Sequence, residues 1–161
     1  DDAQKVEVKT TVNEEASVEE PKQDMQQTAT PEQSQEPKIE QPAIEETKVD
    51  GLQGAKYIEF AEGPFEQNEL VSFARETDMV YTEAKDTQRI ITPDGIIEVG
   101  RENSTSCVLW NPWIDKSKRL PNFADDEYHV MLCLEAANVL DDSVELAPGA
   151  SHTLATKLRW V

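Results

Sequence analysis

The sequence predicts an all-β fold, an antiparallel β-sandwich preceded by a disordered acidic tail. Three observations predict it. After residue 51, apolar and polar residues alternate along short segments, turn-forming residues separate those segments, and helical periodicity is nearly absent. Short alternating strands joined by tight turns are typical of antiparallel sandwiches.

The acidic tail is predicted from the composition of residues 1–50. This segment contains no Gly, Leu, Phe, Tyr, Trp or Arg, and it holds fourteen Asp or Glu against five Lys, with four Pro. Such a segment cannot bury enough apolar surface to offset the backbone entropy of ordering. We therefore predict a disordered tail or linker over residues 1–50 and a folded part over residues 51–161. A solubilising tether is the favoured role for the tail, and a docking motif for a basic partner is the alternative.

The strands of the folded part are predicted from period-two patterns and turn residues. In chain order they span residues 56–60, 70–73, 79–82, 89–91, 96–99, 106–110, 128–137 and 154–161. Glu62-Gly63-Pro64 is expected to close the first strand, and Thr92-Pro93-Asp94-Gly95 is a hairpin turn signal between the fourth and fifth. Residues 113–120 are expected to form at most one or two helical turns.

Composition also excludes several classes of partner. The net charge of −18 argues against nucleic acid and anionic membrane surfaces, which both require a basic patch. No apolar run approaches the roughly 20 residues needed for membrane insertion. Cys107 and Cys133 lie in apolar segments without CxxC spacing or a neighbouring His/Cys cluster, so two buried reduced thiols are favoured over a disulfide or a metal site.

Five blocks of sequence carry a resemblance to a known family. They are Gly-Leu-Gln-Gly-Ala-Lys-Tyr at 51–57, Glu-Thr-Asp-Met-Val-Tyr at 76–81, Val-Leu-Trp-Asn-Pro-Trp-Ile-Asp-Lys at 108–116, Asp-Asp-Glu-Tyr through Met-Leu-Cys-Leu-Glu at 125–135, and Leu-Ala-Pro-Gly with Ser-His at 146–152. In this order they resemble the C-terminal part of the hexose-6-phosphate mutarotases (glucose-6-phosphate 1-epimerases). The resemblance covers nearly all of residues 51–161 and implies part of a galactose-mutarotase-like β-supersandwich.

The resemblance also implies a reaction. The family interconverts the α and β anomers of a hexose 6-phosphate: a carboxylate removes the proton of the anomeric hydroxyl while an imidazole protonates the ring oxygen. The ring opens, the aldehyde end rotates, and the ring closes on the other face. Both steps are proton transfers, so no metal or organic cofactor is expected.

Glu135 is the predicted catalytic base. It matches the base of the family, and it is the one carboxyl group in the apolar run Leu132-Cys133-Leu134-Glu135-Ala136-Ala137. Desolvation there would raise a carboxyl pKa towards the range useful for a base at neutral pH. The alternative interpretation is an exposed Glu at a strand end.

Two further residues are predicted to contact the sugar. Glu59 stands where the family usually carries an Asp that binds sugar hydroxyls, with an exposed strand Glu as the alternative. Asn111 belongs to the block expected near the pocket, whereas the adjacent Trp110 fits either the pocket or the core.

The family's general-acid His and phosphate-binding Arg residues come from upstream of the matched blocks, and residues 1–50 contain neither residue type. His129 shares the predicted strand face of Glu135 but lies six residues away, or about 20 Å along a strand, and His152 follows a turn. We therefore expect a partial mutarotase chain, with a non-catalytic carbohydrate-binding or structural subunit as the alternative. A protein partner that completes the sheet is also expected. The expected compartment of the chain itself is the cytoplasm, with a plastid as the alternative.

Overall fold

Two antiparallel β-sheets contain every described strand. The structure is a computed structural model that describes residues 4–7 and 43–161. The first sheet has the strand order β1-β11-β8-β7-β2-β5 and the second has the order β10-β9-β6-β3-β4. The strands are β1 Gln4–Glu7, β2 Lys48–Asp50, β3 Lys56–Glu59, β4 Glu62–Glu66, β5 Val71–Ser72, β6 Thr77–Thr82, β7 Thr87–Thr92, β8 Gly95–Glu102, β9 Ser106–Asn111, β10 Cys133–Ala137 and β11 Ala155–Trp160. The predicted antiparallel β-sandwich is confirmed.

Helical structure is limited to short turns. One helix, α1, spans Trp113–Ser117, and 3-10 turns span Ile44–Glu46, Glu127–Val130 and Leu140–Asp142. Helix α1 agrees with the one or two turns predicted for residues 113–120. In the described part of the chain, no helix combines the length and the apolar character needed to cross a bilayer.

The predicted hairpin between β7 and β8 is present. Thr92 pairs with Gly95 across the turn, and the Thr92 hydroxyl donates to the Gly95 carbonyl at 3.1 Å. Gly95 has φ +152°, and a Cβ there would lie 2.7 Å from the Trp160 ring. The glycine therefore lets the indole of β11 lie directly over the turn.

The core lies between the two sheets and follows from strand alternation. Met79, Tyr81, Cys107 and Leu109 point inward from β6 and β9, and all are buried. Inward side chains of the first sheet include Val49, which is fully buried. Fully burying an aliphatic side chain of this size contributes about 1.5–3 kcal/mol, so this layer holds the second sheet against the first.

The N-terminal boundary of the folded part differs from the prediction. Residues 43–50, which were predicted to be disordered, include a buried Ile44 and strand β2, which pairs with both β5 and β7. Gln4–Glu7 also forms a strand, beside β11. The prediction failed here because two apolar residues in an acidic segment are enough to anchor a short strand. The remainder of the predicted tail, residues 1–3 and 8–42, lies outside the described residues.

Two predicted strand boundaries are also wrong. Glu62-Gly63-Pro64 does not close a strand but begins β4, which pairs with β3 as an edge strand. The predicted strand over residues 128–137 begins only at Cys133, because Glu127–Val130 forms a 3-10 turn. That turn packs Tyr128 against Trp113, with ring centroids 5.3 Å apart.

Candidate functional site

Glu135 lies on β10, the edge strand of the second sheet. Its backbone pairs with Val108 of β9, and its side chain is solvent-exposed. The desolvation predicted for this carboxylate is therefore absent, and the alternative interpretation of an exposed strand Glu describes its surroundings. The position is nevertheless open to a ligand.

The face of the sheet around Glu135 can be read from the strand register. Directly paired residues of antiparallel strands point to the same side. Val80 and Val108 therefore share the face of Glu135, and the neighbouring row is Asp78, Trp110 and Cys133. We call this surface the Glu135 face; it comprises Ile58, Asp78, Val80, Val108, Trp110, Cys133 and Glu135. Most of its side chains are apolar and half-buried, and its carboxylates are those of Asp78 and Glu135.

Lys116 lies at the border of the Glu135 face, beside Trp110. The Lys116 ammonium lies 5.6 Å from the centroid of the Trp110 ring, which is within the range of a cation–π contact. Lys116 Nζ also lies 3.0 Å from Glu76 Oε1 and 4.0 Å from Asp78 Oδ2. Because two carboxylates already balance this ammonium, it is a weak candidate for binding a phosphate.

Cys133 lies next to Glu135 on the same face, two residues along β10. The pKa of the Cys133 thiol is raised, first by burial and then by the charge and the hydrogen bond of Glu135. The thiol stays protonated near neutral pH and can donate to the carboxylate. It is therefore a neighbour of the candidate base rather than a second nucleophile.

Glu59 lies on the opposite face of the second sheet. Its partner across β6 is Met79, a core residue, and its carboxylate accepts two hydrogen bonds from Arg75, at 2.7 and 2.8 Å. The Glu59 hydrogen bond is the main cause of the raised pKa of Arg75. Glu59 and Glu135 are thus not brought together, and Glu59 is already occupied by an ion pair.

Asn111 does not occupy the sugar-contacting position predicted for it. The side chain is fully buried. Its Nδ2 donates to the carbonyls of Tyr128 and Met131 at 2.9 and 2.8 Å, and its Oδ1 accepts from the Trp113 N–H at 2.9 Å. With its amide engaged on the backbone, Asn111 ties the segment before β10 to helix α1, and its burial keeps the side chain from the surface.

The two histidines are engaged away from Glu135. His129 Nδ1 lies 3.3 Å from Glu45, and His152 Nε2 lies 3.0 Å from Asn138 Oδ1. Because residues 127–130 form a turn, His129 does not share a strand face with Glu135 as predicted. Neither ring is hydrogen-bonded to the candidate base.

Three further arginines lie away from the Glu135 face. Arg89 and Arg159 both pair with Glu98 on the outer face of the first sheet. Arg101 is buried inside the sandwich, where it donates to the Gln88 side chain and to two backbone carbonyls. Among residues 4–7 and 43–161, no group of three His, Cys, Asp or Glu has the arrangement of a metal site.

The site residues missed by sequence reasoning are Asp78, Lys116 and Cys133. Each belongs to one of the five sequence blocks, but their common face depends on which strands are neighbours. The period-two alternation within β6, β9 and β10 assigns each residue to one of the two faces of its own strand. Only the pairing register shows which faces of neighbouring strands form the same face of the sheet.

Comparisons with known proteins agree with this geometry. Residues 28–159 match the family described as aldose 1-epimerase. The chain is 34% identical over 111 residues to a "putative glucose-6-phosphate 1-epimerase" from Cenchrus ciliaris, covering 66% of this chain and 33% of that protein. The chain thus spans about one third of the length of this relative.

Two solved structures share the fold. A "putative mutarotase (YeaD)" from Salmonella typhimurium matches with a TM-score of 0.59 and 21% identity, over 73% of this chain and 41% of that one. The protein HI1317 matches with the same TM-score and identity, over 75% of this chain and 43% of that one. At this identity the likeness shows the fold, which is the partial mutarotase-like sandwich that the five blocks predict.

Proposed function

The chain belongs to the aldose 1-epimerase family, and from this membership we propose that it carries the catalytic base of an enzyme that interconverts the α and β anomers of hexose 6-phosphates. The observation that supports this most directly is the position of Glu135. Its carboxylate is solvent-exposed on a half-buried sheet face that also holds Trp110. A sugar ring can lie on such a face with its anomeric hydroxyl at the carboxylate.

The proposed chemistry consists of two coupled proton transfers. Glu135 takes the proton from the anomeric hydroxyl, and the O–H electron pair forms the C1=O bond as the bond between C1 and the ring oxygen breaks. The ring oxygen receives a proton from a general acid. After rotation about the C1–C2 bond, the reverse steps close the ring on the other face of the aldehyde. Trp110 is suited to pack against the C–H groups of the ring.

Neither the general acid nor the phosphate-binding residues are assigned to residues of this chain. His129 and His152 contact Glu45 and Asn138, and Lys116 is balanced by Glu76 and Asp78. We propose that a further polypeptide completes the sheet and supplies both groups. The cytoplasm is the proposed compartment, with a plastid as the alternative.

A chimera tests the role of Glu135. Residues 43–161 would replace the matching segment of the Cenchrus ciliaris relative, and anomer exchange of glucose 6-phosphate would be followed by NMR exchange spectroscopy. We expect catalysis by the chimera and a loss of roughly 10²–10⁴-fold with Glu135→Gln, because the amide cannot accept the proton. Glu145→Gln, at another exposed position, is the control and should retain full activity. Activity that survives Glu135→Gln would exclude Glu135 as the base.

A non-catalytic mutarotase-like module, which binds carbohydrate or serves as a structural subunit, is the second candidate. The observation that favours it is that both described imidazoles contact other residues, His129 contacting Glu45 and His152 contacting Asn138. Calorimetric titration of the chimera with glucose 6-phosphate, carried out beside the exchange assay, separates the candidates. Binding by a chimera that shows no anomer exchange would support the non-catalytic module.

A further inference from the structure

The strand that carries Glu135 has an unpaired edge. Among the described strands, β10 pairs only with β9 and ends the second sheet. An edge strand presents backbone N–H and C=O groups that can pair with another strand. Strand addition at this edge would extend the sheet directly beside Glu135.

An exposed apolar surface lies on the sheet below that edge. Strand β11 pairs with β8, and Leu158 and Trp160 stand opposite the inward-facing Val99 and Ile97. Both therefore point to the sandwich side of the first sheet, yet Leu158 is 48% exposed and Trp160 is 61% exposed. Inward positions of a β-sandwich are normally covered by the facing sheet, so the described strands of the second sheet leave this surface partly uncovered.

A cleft lies between Trp160 and the segment that leads into β10. It has a volume of about 270 Å³ and is lined by Ile97 and Trp160 of the first sheet and by Met131 and Leu132, which lead into β10. Asp94 and His129 also line the cleft. Its size suits one large apolar side chain inserted between the layers.

We propose that the free edge of β10 and the apolar surface of Leu158 and Trp160 form the docking surface for a β-strand of a further mutarotase-type polypeptide, neutral or basic in charge. The strand would pair with β10 and lie over β11, with one apolar side chain in the cleft. The length of the fold relatives supports this occupant, since this chain accounts for only 41% and 43% of the two solved structures. The charge of −18 favours a partner that is not acidic.

A second copy of this chain is a poor occupant for the same surface. Antiparallel self-pairing centred on β10 would set Glu135 opposite its own counterpart, and like charges directly opposite each other destabilise a strand pair. Two copies would also repel each other through their net charge. The geometry thus disfavours a homodimer at this edge.

Docking at β10 has a consequence for the site. The added strand would be the immediate neighbour of Glu135 within the sheet, about 4.8 Å away. Its outward side chains would stand beside the carboxylate, where a general acid has to be supplied. The docking proposal rests on the completion of the sheet proposed above and deepens it by naming the edge and the apolar surface; a structural module would need the same partner.

The test is co-expression of the tagged 161-residue chain with the Cenchrus ciliaris relative from which the matched 111 residues are deleted. The complex is purified and its dissociation constant is measured by biolayer interferometry. We expect Leu158→Glu and Trp160→Glu each to weaken binding by at least about 10-fold, because they place a carboxylate in an apolar contact. Leu146→Glu, at a position that is 54% exposed outside the strands, should change the constant by less than about 3-fold.

Amide hydrogen exchange supplies the second measurement. The amides of Cys133–Ala137 should exchange more slowly in the complex than in the free chain. Absence of a complex, equal binding by the Glu variants, or unchanged exchange in β10 would each overturn the proposal, as would a homodimer that the same two variants abolish. Because none of these measurements involves turnover, a complex without anomer exchange would overturn the catalytic proposal alone.

Discussion

At the scale of single residues, the carboxylates of the candidate site show what a sequence can and cannot predict. Glu135 and Glu59 were both predicted to approach the sugar, but Glu135 is exposed on one face of the second sheet and Glu59 is paired with Arg75 on the other. The residue types were recognisable from the sequence blocks. The face was not, because it depends on the pairing register of strands far apart in sequence.

Buried polar residues in the core were likewise missed. Gln88 is fully buried and Arg101 is 6% exposed, and their side chains are hydrogen-bonded to each other. Arg101 also donates to the Ala84 carbonyl at 3.2 Å, which fixes the loop between β6 and β7. A hydropathy pattern assigns such residues to the surface, since it records polarity and not partners.

Cys107 gives a prediction about pH and stability. Burial raises the pKa of this fully buried thiol from 9.0 to about 11. Between pH 9 and pH 11 the unfolded chain releases this proton while the folded chain keeps it, so stability falls as pH rises. We expect the wild type to lose about 2 kcal/mol more than Cys107→Ala over this interval, measured by urea unfolding at each pH. Parallel stability curves for the two proteins would contradict it.

At the scale of elements, predicted strands agree with the structure where burial alternates along them. Strand β6 alternates strictly between buried and half-buried residues, and its hydrophobic pattern was recognised. Strand β4 was missed because all five of its residues are exposed and it contains Pro64, which suits an edge strand and reads as a turn. Residues 128–130 alternate like a strand, yet the contact of Tyr128 with Trp113 folds them into a 3-10 turn.

Asn111 gives a prediction about the element that precedes β10. Asn111→Ala would leave two backbone carbonyls and one N–H without their side-chain partner in a buried setting. The expected loss is about 2–4 kcal/mol of unfolding free energy in urea titrations. Asn68→Ala, which removes an exposed amide with one long hydrogen bond of 3.4 Å, should cost less than about 0.5 kcal/mol. Equal losses for both variants would show that Asn111 does not hold this segment.

At the scale of the whole molecule, the family was predictable because five ordered sequence blocks are more specific than any one of them. The open edge of β10 was not predictable, because it depends on which strand ends the sheet. The structure relates the two, because the strand that carries the candidate base is one of the edge strands of the described sheets. Binding of a partner and assembly of the catalytic groups would therefore take place at the same edge.

The activity of the unaccompanied chain follows from this arrangement. General acid catalysis contributes about 10²–10⁴-fold, and neither His129 nor His152 is positioned to supply it to a sugar at Glu135. We therefore expect the 161-residue chain alone to accelerate anomer exchange of glucose 6-phosphate little or not at all above buffer, as measured by NMR exchange spectroscopy. The complex formed by co-expression should accelerate anomer exchange more than the chain alone does, by at least the factor that general acid catalysis contributes. Saturable mutarotation by the bare chain that disappears with Glu135→Gln would show instead that the chain already contains its own acid.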